Sequence, residues 1–303
     1  KALLKAGADP LMSDKSGKNS FDIVMDRNKF KALKALVKFA DSAGITDKHG
    51  NTLLHVVAKA GNESAARTLI KAGVAIDSHN NDGETPLHIA AYKGEERIVE
   101  KLVEAKANIN AFDKKMSTPL MYAAARDREE VVEKLLAFGA EVNAVNTDGM
   151  TALLVGASRG ADKSMQILLV HGAKLDAANH DGKTALHLAV ESKDKDAVKV
   201  LMDAGIDYSA MDDDGKTALD LCDSNKMKKI GAYLSDLITL KEAAEQPVEA
   251  VDVAVIPEPQ PIVEKPVVVE TPSVENVESS ENTETEEVSV LVADVTTDED
   301  ISL

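Results

Sequence analysis

The chain of 303 residues has no tryptophan, one cysteine and only nine aromatic residues. A single cysteine, Cys222, excludes an intramolecular disulfide framework. No apolar run approaches the roughly 18 residues of a membrane span, so no membrane-spanning helix is expected. The phosphate-cradling patterns G-x-G-x-x-G and G-x-x-x-x-G-K-[ST] are absent. Asp212-Asp213-Asp214-Gly215 approaches a calcium loop. It fails at Ala210, where an acid is required, and at Leu221, where the closing Glu belongs. No catalytic, cofactor-binding or metal-ligating set is therefore assigned, and no enzyme is expected within these residues.

Two further scarcities are regional. All 17 glycines and all nine aromatics lie before residue 234. Residues 241–303 hold 17 acids against Lys241 and Lys265, a net of −15, so the preceding 240 residues are nearly neutral at −2. Six of the nine prolines also lie in that last segment. High net charge without large core-forming side chains predicts a disordered acidic tail over 241–303, with a polyproline-like linker at Pro257 to Pro261. Its valine runs, Val267–Val269 and Val288–Val292, could add a strand to a partner's sheet edge.

What is present is a period. Stepping by 33 from Thr85 gives Asn19, Thr52, Thr118, Thr151, Thr184 and Thr217 without an insertion or deletion. Two residues earlier stand Gly17, Gly50, Gly83, Met116, Gly149, Gly182 and Gly215. A fixed period of this length signals stacked supersecondary units. In the unit from residue 80, Asn81-Asp82-Gly83 is turn chemistry, and Thr85 is placed to cap a helix that Pro86 opens. Leu87, Ile89, Ala90 and Ala91 form one short helix. Glu95 to Lys106, with Ile98, Val99, Leu102 and Val103 on one side, forms a second. Neither apolar face suffices alone, so neighbours must stack.

The run Asp/Asn-x-x-Gly-x-Thr-Pro/Ala-Leu-His resembles the ankyrin repeat. Its best copies are Gly83 to Ala91 and Gly182 to Ala189. The resemblance implies an all-α solenoid with β-turn fingers over 1–240. It would comprise a partial unit at 1–13 and about seven repeats: 14–46, 47–79, 80–112, 113–145, 146–178, 179–211 and 212–240. It also implies that His55, His88 and His187, at one position of the unit, bond between the turns of neighbouring repeats. Units ~10 Å apart could not share a zinc ion through these side chains.

Three departures from the pattern carry expectations. Met116 replaces a turn glycine and would be strained at positive φ, so that turn is altered or Met116 points outward to a partner. Leu154 and Asp220 replace His. Cys222 sits where Ala90, Ala123 and Ala189 sit, and is expected in the core. The apolar residues Leu234 to Leu240 extend the last helix past Tyr233.

The family's concave face points to protein–protein recognition as a scaffold or adaptor. The candidate partner-binding residues are His79, Phe112 and Val145, each just before a turn. Lys114, Lys115 and Met116 are added on the middle turn, and Tyr92, Lys93, Arg126 and Arg159 at first-helix ends. They would form an aromatic centre with a basic rim, which the acidic tail could contact within the chain. The near-neutral array disfavours nucleic acid, and a monomer is expected. The chain begins with Lys1 inside a repeat, which suggests missing upstream residues. The alternative is thus a regulatory or targeting region of a larger enzyme or effector. The compartment is not readable, with the cytoplasm as default.

Overall fold

The computed structural model describes Lys15, residues 46–223 and residues 227–245. The expected units at 1–13 and 14–46, and the tail beyond 245 with its proposed contact to the array, lie outside the described residues. Among the described residues twelve helices follow one another in pairs: α1 (Leu53–Ala60) and α2 (Glu63–Lys71), α3 (Pro86–Lys93) and α4 (Glu96–Glu104), α5 (Pro119–Ala124) and α6 (Glu129–Ala137), α7 (Ala152–Arg159) and α8 (Asp162–Val170), α9 (Ala185–Ser192) and α10 (Lys195–Asp203), α11 (Ala218–Asp223) and α12 (Lys228–Glu245). Among the described residues the only β character is two isolated antiparallel bridges, Ala178 with Thr184 and Met211 with Thr217. The architecture is the expected all-α repeat solenoid.

Each pair is preceded by a finger built around one Asp or Asn. Asp47, Asn80, Asp113, Asn146, Asn179 and Asp212 each accept, through Oδ1, backbone N–H bonds from the residues two and four positions on. This is the local bonding that makes Asx residues turn formers. Fingers then bond to one another. The carbonyls of His49, Asp82, Lys115, Asp148 and Asp181 accept from Asn81, Lys114, Thr147, His180 and Asp213 at 2.8–3.2 Å. This regular ladder holds the repeats in register.

Met116 keeps the shared turn. Its φ is +59°, in the left-handed region that its glycine counterparts occupy, and its side chain is 46% exposed. Of the two expectations, the altered turn is set aside because the Asp113 bonds that close the loop are all made. The second helix from residue 96 ends at Glu104, two residues short of the expected Lys106. Lys106 has φ +70°, and the Ala107 N–H bonds back to Leu102 O, the closure of a helix by a left-handed residue.

The helices stack on a spine of small and branched residues. Leu87, Leu120, Leu153 and Leu186, and on the second helices Leu69, Leu102, Leu135, Leu168 and Leu201, are all essentially inaccessible. At ~25 cal/mol per Å² this burial is the main term holding the stack together. The buried apolar residues form two clusters that meet within repeat 146–178: Ala152 and Leu168 belong to one, Leu153, Leu154 and Met165 to the other. Cys222 is buried, its Sγ 3.5 Å from Ala218 O. Helix α12 runs through Leu234 and Leu240 to Glu245.

Candidate partner-binding groove

The repeat threonines cap the first helices in three ways. In three repeats the histidine three residues on completes the cap. The Thr52, Thr85 and Thr184 N–H groups donate to Nδ1 of His55, His88 and His187 at 3.1–3.3 Å. The ring proton therefore sits on Nε2. It donates forward to the Glu84, Ser117 and Lys216 carbonyls of the next repeat at 2.9–3.0 Å. One side chain thus locks its own helix and the following finger. Burial holds the His55 and His88 pKa below the ordinary histidine value, opposed by the bond to the carbonyl. The neutral donor–acceptor form is the one this arrangement uses. In the next two repeats Met121 and Leu154 occupy the position, and the Thr118 and Thr151 hydroxyls accept from the Met121 and Leu154 N–H groups instead. In the last repeat Asp220 accepts from the Thr217 N–H and hydroxyl at 2.9 and 2.7 Å. A carboxylate can cap its own helix but has no proton to donate forward.

With fingers and first helices fixed in this way, a groove of about 790 Å³ lies between them. One wall is Asp47, His49, Asp82 and Glu84 on the fingers, the other Lys59 and Lys93 at helix ends, with Val56, Ile89, Tyr92 and Tyr122 between. Tyr122 organises its centre. Its hydroxyl is 2.9 Å from Asp113 Oδ2 and 3.0 Å from Glu84 Oε1, and its single proton can serve one carboxylate at a time. Burial first, then these two carboxylates, push its pKa up. The ring meets His88 edge-on at 5.1 Å and Tyr92 at 6.2 Å. Arg126 stacks over Tyr92 at 4.9 Å and Lys93 approaches the same ring at 5.9 Å.

The sequence candidates are distributed unevenly over this geometry. Tyr92 and Lys93 line the groove, and Arg126 joins them through the Tyr92 ring. Phe112, Lys114, Lys115 and Met116 are exposed on a single finger, whereas His79 and Val145 are exposed at the starts of the flanking fingers. Arg159 is exposed at the end of α7, one repeat beyond Arg126. The aromatic centre is Tyr92 with Tyr122, whereas Phe112 stands on the finger. Sequence reasoning misses Tyr122, although a signal was there. In the row Val56, Ile89, Tyr122, Val155, Leu188 and Leu221 it is the one residue with a polar end. It also misses Asp47, His49 and Lys59, which the structure brings in from the preceding repeat.

Of the seven large apolar residues exposed among the described residues, Phe112, Met116, Val145 and Met211 belong to fingers. The other three, Phe138, Val170 and Leu240, lie on or next to second helices. Among the described residues no cluster of His, Cys, Asp and Glu is arranged to hold a metal ion, and no helix is long and apolar enough to cross a membrane.

No curated protein matches the chain. A family model described as ankyrin repeats matches it three times, over residues 20–113, 120–212 and 157–239. Together with the paired helices, the finger ladder and the histidine bridges, these matches place the chain in the ankyrin-repeat family.

Proposed function

We propose that this array is a scaffold or adaptor that recognises a protein partner through its fingers and the groove beside them. Ankyrin repeats are in general protein-interaction modules. The observation that carries the reading here is the groove of about 790 Å³ lined by Tyr92 and Tyr122, together with solvent-facing Phe112, Met116 and Val145 on fingers of the same array. Exposed aromatic and sulfur-containing side chains next to a polar-walled concavity are typical anchors of a protein interface. The array comprises about seven repeats and a partial one over 1–240, acts as a monomer, and has no chemistry of its own. The binding residues are His79, Tyr92, Lys93, Phe112, Lys114, Lys115, Met116, Arg126, Val145 and Arg159, with Tyr122 as the residue that orients Tyr92.

The test is affinity capture with the full chain and with a Tyr92→Ala, Phe112→Ala double variant. Both should show the same far-ultraviolet circular dichroism, since Tyr92 is half-buried and Phe112 exposed. The variant should lose one or more proteins that the parent retains. Recovery of the same proteins in equal amounts would dismiss this surface.

A further inference from the structure

The cations of the two helix rows are treated differently by the fold. On the second helices α4, α6 and α8 every cation is matched, Arg97 by Glu63 included. Lys101 pairs with Glu104, Lys134 with Glu96 and Glu100, Lys163 with Glu129, and Lys199 with Asp203. At the ends of the first helices the sequence repeats a cation instead. Lys93, Arg126 and Arg159 follow one another at steps of 33 in three adjacent repeats. All three are exposed, and none has a carboxylate oxygen within 4 Å among the described residues. Lys93 lines the groove, and Arg126 is held in place by stacking on Tyr92.

Three unmatched charges in a row, in repeats whose second helices pair theirs, form a surface complementary to something outside the chain. We propose that the stripe Lys93–Arg126–Arg159 binds an extended acidic segment of the partner protein, whose carboxylates lie ~10 Å apart to match the spacing of stacked helices. The inference rests on the reading of this face as a protein-binding surface and adds the partner's chemistry. Arginine favours it, because the guanidinium fork takes a carboxylate in two hydrogen bonds. Some carboxylates nearby are already hydrogen-bonded: Asp113 and Glu84 share the one Tyr122 hydroxyl proton, and Asp127 accepts the Ser164 N–H at 2.8 Å. Asp82 and Asp148 remain on the facing fingers. They disfavour a continuous polyanion such as a nucleic-acid backbone but can be straddled by a peptide with spaced charges.

The experiment uses the full chain and three fluorescein-labelled probes: an alternating Glu-Gly peptide of about 14 residues, its Lys-Gly counterpart, and an oligothymidylate of similar length. Fluorescence anisotropy at low salt should show saturable binding of the acidic peptide that weakens as salt is raised. Binding should fall about tenfold in a Lys93→Glu, Arg126→Glu, Arg159→Glu variant. It should be unchanged in a Lys163→Glu, Lys199→Glu variant, whose changes lie on the paired row. Circular dichroism should show both variants folded. If the acidic peptide binds no better than the lysine peptide, or the two variants weaken it equally, the proposal is overturned. Tighter binding of oligothymidylate through the same stripe would overturn it in favour of nucleic acid. Loss of captured proteins in the Tyr92 and Phe112 variant, alongside failure of the acidic peptide, would leave the recognition face standing and reject only its charge assignment.

Discussion

Repeats 47–79 and 80–112 and repeats 113–145 and 146–178 share one backbone plan and use different joints. In the first pair, His55 and His88 bolt each repeat to the next through a buried imidazole. In the second pair, Met121 and Leu154 fill the same volume with apolar atoms, and the joint relies on packing and the finger ladder. The second pair carries left-handed Met116 and Asp127 and the buried Ser164 Oγ, which has no hydrogen-bond partner, while the first pair has left-handed Lys106. The two core clusters meet there as well. A repeat plan thus tolerates the loss of its polar bolt where the helices pack closely. Both the strained turn at Met116 and the unpartnered Ser164 lie in repeats without the bolt.

The largest effect should come from removing a bolt. His88→Ala opens a void the size of an imidazole, strips the Thr85 N–H of its partner and removes the forward bond to Ser117 O. A loss of about 3 kcal/mol in denaturant unfolding is expected. His88→Met, which copies the next repeat, keeps the volume and should cost about 1 kcal/mol. If His88→Met is neutral, the histidine contributes shape alone, and the contrast between the two pairs disappears.

Next comes the fit between fingers. Gly149 has φ +75°, and a Cβ there would stand 2.7 Å from the His180 backbone nitrogen. Gly149→Ala should therefore cost about 2 kcal/mol. The neighbouring finger already carries Met116 at the equivalent position with its ladder bond intact at 2.8 Å. A cost below about 1 kcal/mol at Gly149 would show that the fingers carry the slack Met116 uses.

Acid should distinguish the same two pairs. Burial depresses the pKa of His55 and His88 in the folded state, so below about 6.5 the unfolded chain takes up protons that the folded array refuses. The stability these residues contribute is complete above pH 6.5. It is lost as pH falls from there through their folded-state pKa. Native-state hydrogen exchange should show protection in 47–112 falling over that interval, and His88→Met should blunt the fall. Equal pH sensitivity in the parent and the variant would assign the effect to carboxylates instead.

Ser164 offers a smaller change of opposite sign. It occupies the position of Ile98 and Val131, is fully buried, and leaves its Oγ without a partner. Ser164→Ala should stabilise the array by about 1 kcal/mol. Its N–H bond to Asp127 is a backbone bond and is retained. Destabilisation would mean that the hydroxyl is satisfied in solution.

The fold was legible because its signals recur. Threonine, the turn glycines and the Leu two residues after each threonine repeat at a spacing that only stacked units explain, and those are the residues the structure buries or bends. The histidine bridge was legible through family resemblance, because a bond between residues 29 apart leaves no trace in local pattern. Tyr122 stood out in its row by its polar end, but what that end bonds to was not legible, because its partners are Glu84 from one finger and Asp113 from the next. The groove likewise draws Asp47 and Lys59 from the preceding unit. Sites assembled across repeats are set by the stacking geometry, which a reading within one period does not contain.

The smallest change tests whether an irregularity has a use. Met116 holds φ +59°, a conformation that costs an L-residue roughly 1 kcal/mol or more. Glycine there would remove that strain but add conformational freedom to the unfolded chain, which returns part of the gain. The side chain is 46% exposed, so little packing is lost on its removal. Met116→Gly should thus raise stability by about 0.5 kcal/mol, while an assay against the captured partner should show weaker binding. Strain retained on an exposed apolar residue, in the finger that also carries Phe112, Lys114 and Lys115, is what a contact with another protein would explain. Unchanged partner affinity together with higher stability would make Met116 a tolerated imperfection of the turn, and the middle finger would then differ from its neighbours in strain alone.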